Sequence, residues 1–248
     1  MFDLTGRVAL VTGAGQNVGA GIAATLAECG AAVAVNDVVK ERAEEQVDMI
    51  TGQGGTAVAA PFDVTDLDAV RDGVARVEES LGPIDILVNN AGLPLGEGRA
   101  PTQFRDMDPE NWHHYVDLNL YGVLNCVRAV VDGMCERGWG RIITISSGAA
   151  QQGLGIGMSM YAAGKGGAIS FMRDLAVEVG KSGVRCNTLA LGLMENAQGQ
   201  SLNLSAARFP AGRAGTPRDV GAAVVWLAAE GDWVTGQTIG INGGSIMH

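Results

Sequence analysis

Basic charge is in short supply in this chain. Its 248 residues carry 17 lysines and arginines against 27 aspartates and glutamates, a formal net charge of −10 at pH 7. A field of that sign repels polyanions, which argues against nucleic acid and anionic membrane surfaces as partners. It leaves open a small anion held by a local loop. Long apolar runs are missing too. No stretch approaches the roughly 18 residues of a membrane span, and the opening MFDLTGRVALVTG lacks the basic-then-apolar order of a secretory leader. The cysteines, Cys29, Cys126, Cys135 and Cys186, form no C-x-x-C and no pairing with histidine. Free thiols in a reducing cytoplasm are the expectation. His113, His114 and His248 lack metal-ligand spacing, and the adjacent pair points two ways on a helix, so no metal site is expected.

Aromatic residues make up only 5% of the chain, so the setting of each tyrosine is informative. The stretch SMYAAGKGGA, residues 159–168, places Tyr161 and Lys165 four apart among small side chains. On a helix that spacing stacks them on one face, and an ammonium beside a phenol favours the phenolate. Two readings follow: a proton-transfer pair, or a surface tyrosine lying over a lysine stem.

Glycine is plentiful, at 37 residues, and clusters where strands and helices begin and end. Short apolar, β-branched runs at Arg7–Thr12, Ala32–Asn36, Thr56–Pro61, Ile84–Asn89, Arg141–Ser146, Val184–Leu191 and Thr238–Ile241 alternate with helix-like segments such as Lys40–Ile50 and Asp66–Leu81. Continuous apolar strands separated by helices predict a parallel sheet covered on both faces. Right-handed crossovers make it an α/β, doubly wound, mostly seven-stranded sheet. No repeat or low-complexity linker divides the chain, so residues 1–248 are expected to form one domain. In such sheets ligands bind beyond the carboxyl ends of the strands.

After the first strand comes TGAGQNVGAGIA, Thr12 to Ala23. A glycine-rich turn lets backbone N–H groups approach a pyrophosphate at the positive end of the next helix. The stretch fails a plain G-x-G-x-x-G, because Val18 stands three residues after Gly15, and tight turns use glycine for structure alone. Its place after the first strand favours nucleotide binding.

These features together resemble the short-chain dehydrogenase/reductase family in its single-domain form. The family's TGxxxGxG is matched at Thr12, Gly13 and Gly19, while Asn17 takes the middle glycine. Asparagine tolerates a positive φ better than most residues, so the turn is expected to survive. NNAG at Asn89–Gly92 ends the fourth strand, DLNLYG supplies Asn119, IITISSG supplies Ser147, and YAAGK matches YxxxK at Tyr161 and Lys165. Each motif is weak alone; the full set in this order, along essentially the whole chain, is specific.

The resemblance implies a Rossmann-like fold and a set of roles. Tyr161 is the general acid in ketone reduction and the base in alcohol oxidation. Lys165 and the nicotinamide charge lower the phenol from its ordinary pKa of roughly 10, and Lys165 bonds the nicotinamide ribose. Ser147 holds the reacting oxygen, and Asn119 supports a proton-resupplying water. For each there is a plainer role: Ser147 capping backbone, Asn119 bonding its own helix. Asn89 is expected to hold strands together rather than do chemistry. Cofactor contacts are implied at Gly13, Gln16, Asn17, Val18, Asp37, Asp63, Val64, Asn90, Ala91, Gly92, Tyr161, Lys165, Gly192 and Asn196.

Asp37 ends the second strand, where a carboxylate can accept both adenosine ribose hydroxyls, so NAD(H) is expected over NADP(H). The alternative is that Asp37 caps the helix starting near Lys40. Val38 and Gln16 occupy the places where NADP users carry a cation, while Lys40 and Arg42 are expected to face solvent. After the sixth strand, LALGLMEN has Leu191 in place of the family's proline and Asn196 in place of its threonine. Residues 192–212 take the position of a substrate lid. Met194, Leu202, Leu204 and Phe209 in it, with Gln151, Gln152, Leu154 and Met158, predict a largely apolar ketone or secondary alcohol as substrate. The competing substrate is a 3-oxoacyl thioester. Asp132 and Glu136 beside Arg128 and Arg137, with the net charge, disfavour an acidic carrier protein but not coenzyme A. The competing class is a non-catalytic NAD sensor, disfavoured because serine, tyrosine and lysine are all present. A cytoplasmic homotetramer is expected from the family and from Asn111–Arg137 and Tyr161–Gly180, apolar on more than one side.

Overall fold

The computed structural model describes residues 2–92, 101–195 and 209–247. Seven strands lie parallel in one sheet: β1 (Val8–Val11), β2 (Ala32–Val35), β3 (Thr56–Ala59), β4 (Ile86–Asn89), β5 (Gly140–Ser147), β6 (Val184–Leu191) and β7 (Thr238–Ile241), in the order β3-β2-β1-β4-β5-β6-β7. The order reverses direction at β1 and β4, which opens a crevice there at the carboxyl edge.

The strands are apolar throughout because both faces are covered. In β1, Ala9 and Val11 join one core with Ile22 and Leu26 of α1 (Asn17–Glu28) and Val220 and Val224 of α7 (Pro217–Ala229). Val8 and Leu10 join the opposite core with Val74 of α3 (Leu67–Leu81), Val130 of α5 (Gly122–Glu136) and Met172 of α6 (Ser159–Val179). Burying a side chain such as Leu10 contributes roughly 2 kcal/mol, and a one-residue register slip would exchange the two faces of a strand. Polar side chains cap the amino ends of α3 and α7. Asp66 accepts from the amides of Asp68 and Ala69 to start α3, and Thr216 and Asp219 form a reciprocal capping box on α7. α1 and α7 pack tightly enough that a Cβ on Gly21 would lie 2.3 Å from Pro217 Cβ, which fixes the helix that follows the glycine-rich turn.

The segment expected as one long helix over 111–137 is interrupted. It runs as α4 (Trp112–Val116), one π-helical turn over Asp117–Tyr121, then α5. The cause is Asn119, fully buried, whose Nδ2 donates to the Tyr115 carbonyl at 2.9 Å. An amide side chain competing for a carbonyl in its own helix distorts the ladder, and π-turns collect at functional sites.

At the amino ends of the strands, far from the crevice, Arg141 is 3% exposed and bonds Asp232. Its guanidinium and that of Arg7 lie 4.3 and 3.7 Å from the Trp139 ring, tying β1 and β5 together there. No helix among the described residues is long and apolar enough to cross a membrane.

Candidate active site

A cleft of about 850 Å³ opens at the carboxyl edge. Around it the structure brings Gly13, Gln16, Asn17, Val18, Asp37, Asp63, Val64, Asn90, Ala91, Gly92, Ser147, Tyr161, Lys165 and Gly192. Asn196 and most of the expected lid, including Leu202 and Leu204, lie outside the described residues, as does 93–100.

The turn from β1 into α1 forms one end. Asn17 has φ 50°, the left-handed region, and is the sole non-glycine there among the described residues. The substitution of the family's glycine is thus absorbed by the residue type that best tolerates that backbone. A Cβ on Gly19 would lie 2.2 Å from the Gly13 carbonyl, and one on Gly13 2.9 Å from Ala91 Cα. The turn is stapled to the NNAG segment. Asn90 Nδ2 donates to the Thr12 and Gly13 carbonyls, both at 2.9 Å, and Thr12 Oγ1 accepts from the amides of Asn90 and Ala91, both at 3.0 Å. Asn89 instead donates to Thr144 Oγ1 across β4 and β5.

Asp37 is buried, with its carboxylate turned to the loop: Oδ2 accepts from Gly15 N at 3.2 Å and Oδ1 from Val39 N at 3.0 Å. The N-cap position of the next helix, α2 (Lys40–Gly52), is Val39, so Asp37 is not that helix's capping residue. One expectation is corrected here. Arg42 does not simply face solvent; it is half-buried and lines the cleft. The reason is glycine at position 15, where a Cβ would lie 2.6 Å from Arg42 Cβ and 2.8 Å from Asp37 Oδ2. Asp63 accepts from Thr65 N and Oγ1, both at 2.8 Å, which fixes the corner beside Val64.

Tyr161 and Lys165 form the other end, on the first turns of α6. Gly164 between them explains the bare small-residue stretch: a Cβ there would lie 2.8 Å from the Tyr115 carbonyl and 3.0 Å from Asn119 Cβ. Only glycine lets α6 approach the π-turn so closely. Lys165 is buried, with Nζ donating to the Ile145 carbonyl at 2.8 Å, and burial brings its ammonium down to about 8. Ser147 Oγ accepts from Ala149 N at 3.2 Å, capping the 3₁₀ turn Gly148–Ala150, and its hydroxyl lies near enough to Tyr161 to influence the phenol. Burial pushes the Tyr161 phenol up, and the Ser147 hydrogen bond pulls it back only in part. The expected lowering by Lys165 is not found: desolvation of the phenolate is the largest influence, and the lowering comes from the Ser147 hydroxyl.

The residues fit a dinucleotide. A Cβ on Gly92 would fall 3.0 Å from Lys165 Nζ and 3.1 Å from Asn119 Oδ1, the latter buried without a hydrogen-bond partner. A glycine cradle with donors and an orphaned acceptor at one end, and a carboxylate at the other, is the donor set an adenosine–pyrophosphate–nicotinamide molecule needs.

The sequence profile of short chain dehydrogenases matches residues 7–206. The chain belongs to the short-chain dehydrogenase/reductase family. It is 36% identical to the 3-oxoacyl-acyl-carrier-protein reductase of Vibrio harveyi over 99% of this chain and 100% of the relative. Among solved structures, a 7α-hydroxysteroid dehydrogenase in complex with NADH and 7-oxo glycochenodeoxycholic acid is similar at TM-score 0.90 and 32% identity, covering 99% of this chain and 96% of that one. A gluconate 5-dehydrogenase from Burkholderia cenocepacia in complex with NADP and tartrate is similar at TM-score 0.89 and 35% identity, covering 98% and 96%. This chain is thus an oxidoreductase of a nicotinamide-using family.

Sequence reasoning missed several members of this short-chain dehydrogenase site. His114, Asp117 and Glu195 line the cleft. The signal for the first two was present: they lie three apart on the helix that carries Asn119, hence on one side of it. Gln151, Gln152 and Leu154, expected as substrate walls, are not among the lining residues; Leu154 is exposed and Met158 buried. Their segment packs against residues 101–103, with the Gly155 carbonyl accepting from Gln103 Nε2 and Gly157 set against Thr102.

Proposed function

We propose that this chain transfers a hydride between NAD(H) and a largely apolar secondary alcohol or ketone. The observation that carries the reading is the convergence of Ser147, Tyr161 and a buried Lys165 at one end of a dinucleotide-sized cleft. In reduction, Ser147 Oγ holds the carbonyl oxygen and the Tyr161 phenol delivers the proton to it. In oxidation, the phenolate takes the hydroxyl proton. Bound nicotinamide supplies or accepts the hydride. Lys165 provides a positive charge beside the phenol, so the phenolate costs less to form once the site is assembled. Asn119 presents its unpartnered Oδ1 next to Lys165 and serves the proton relay. Residues 1–248 act as one catalytic unit, with 192–212 as the lid.

A second reading is a 3-oxoacyl thioester reductase, favoured by the likeness to the Vibrio harveyi 3-oxoacyl-acyl-carrier-protein reductase. The net charge of −10 disfavours docking an acidic carrier and leaves a coenzyme A thioester as the competing substrate. Oxidation of NADH with cyclic ketones, aliphatic ketones and acetoacetyl-CoA, with product mass, separates the two.

Asp37 supports NAD(H) over NADP(H): a 2′-phosphate would meet a carboxylate held in place by two backbone amides, although Arg42 on the same wall offsets part of that repulsion. kcat/KM is expected to be higher with NADH than with NADPH. Equal values, or a preference for NADPH, would remove Asp37 as the deciding group.

The working state we propose is a cytoplasmic homotetramer. Trp233 is 99% exposed, Val177 80% and Trp226 37%, surface that association would cover. Light scattering at micromolar concentration is expected to give the tetramer mass, and a stable monomer would refute it.

A further inference from the structure

The segment after β7 folds back on the site. Asn242 organises it: its Oδ1 accepts from Gly244 N at 2.9 Å, its Nδ2 donates to the Ile246 carbonyl at 3.1 Å, and its own carbonyl accepts from Ser245 N at 3.1 Å. Gly243 and Gly244 adopt φ of 61° and 81° to make this turn. The turn touches three parts of the cleft's surroundings. A Cβ on Gly192, at the end of β6, would lie 2.7 Å from Asn242 Cα. The Gly243 carbonyl accepts from Ala211 N at 3.0 Å, at the foot of the segment expected as the lid. A Cβ on Gly148, directly after Ser147, would lie 2.2 Å from Ile246 Cδ1.

We propose that Ile246 is a positioning residue for Ser147: its δ-methyl braces the Gly148–Ala150 turn that orients the serine hydroxyl. The turn packs on α6 and β6, but few hydrogen bonds of its own hold it. Its first bonds are Ala149 N to Ser147 Oγ and the Gln151 and Gln152 amides to the Gly148 carbonyl. Gly148 has no side chain, so the methyl of Ile246 supplies the packing atom that glycine lacks. Misplacement of a reacting group by about 1 Å can cost on the order of 10²-fold in rate, which makes such a brace consequential. The catalytic part of the inference rests on the oxidoreductase reading above; the brace itself does not.

The test compares Ile246→Ala with Ile246→Leu, which keeps a δ-methyl. Hydrogen exchange of the peptide covering 147–152, read by mass spectrometry, is expected to quicken about tenfold in Ile246→Ala, because local opening is less opposed. Exchange across β1 and α1 should stay as in wild type, and Ile246→Leu should restore protection. With the best ketone of the panel, kcat should fall about tenfold while the KM for NADH stays within about twofold. Unchanged exchange at 147–152 overturns the brace. Quickened exchange with unchanged kcat overturns the positioning role. If no ketone is reduced by wild type, the oxidoreductase reading fails while the exchange result still decides the brace.

Discussion

Tyr161→Phe is expected to lower turnover by roughly 10²–10⁴-fold while leaving cofactor affinity within a few fold. Phenylalanine keeps the ring at the start of α6 and removes only the hydroxyl that faces Ser147 across the cleft end. The cofactor contacts of the glycine turn and Asp37 are untouched. Steady-state kinetics in the reducing direction and NADH binding by fluorescence check both halves. Near wild-type turnover would show that another group delivers the proton. The Tyr161 phenol also sets the pH dependence. Burial holds the phenol above its ordinary range, so the protonated acid persists through neutral pH and ketone reduction holds. Alcohol oxidation needs the phenolate and should rise as the medium becomes more alkaline.

Lys165→Met should move activity and stability in opposite directions. The ammonium is buried and donates to the Ile145 carbonyl, and burial brings its pKa to about 8 from 10.5. A group whose folded-state pKa lies below its unfolded value is disfavoured in its charged form. Between about pH 8 and 10.5 the unfolded chain holds a proton that the folded chain has released, so wild-type stability rises with pH across that window. Below it the buried charge counts against folding. Replacing a buried ion by an apolar side chain of similar length is often neutral or stabilising. The variant's melting temperature at pH 7 is therefore expected to equal or exceed that of wild type, with the gap narrowing by pH 9.5. Turnover should fall on the order of 10²-fold, since the phenol loses its neighbouring charge. A variant clearly less stable at pH 7 would show that the lysine charge supports the fold.

Much of this was legible in the sequence, for local reasons. β1 reads VALV because both sheet faces are covered, and such runs need no tertiary knowledge to find. TGAGQNVG, NNAG and YAAGK carry their geometry in residue type and spacing, and the positive φ of Asn17 was foreseeable from asparagine alone. What escaped depends on neighbours distant in sequence. The π-turn exists because Asn119 takes the Tyr115 carbonyl while α6 presses in through Gly164. Arg42 reaches the cleft because Gly15 leaves room for it. The direction of the Tyr161 shift follows from burial, which no spacing reveals. Asn196 lies outside the described residues.

Hydride delivery to a carbonyl, with Tyr161 supplying the proton, is open to an isotopic test. NADH deuterated at both C4 positions, incubated with the ketone panel and followed by product mass spectrometry, tests it most directly. The expected product is an alcohol one mass unit heavier than that made with ordinary NADH, formed by wild type and all but absent with Tyr161→Phe. An unlabelled alcohol, or no alcohol from any ketone or thioester, would contradict it.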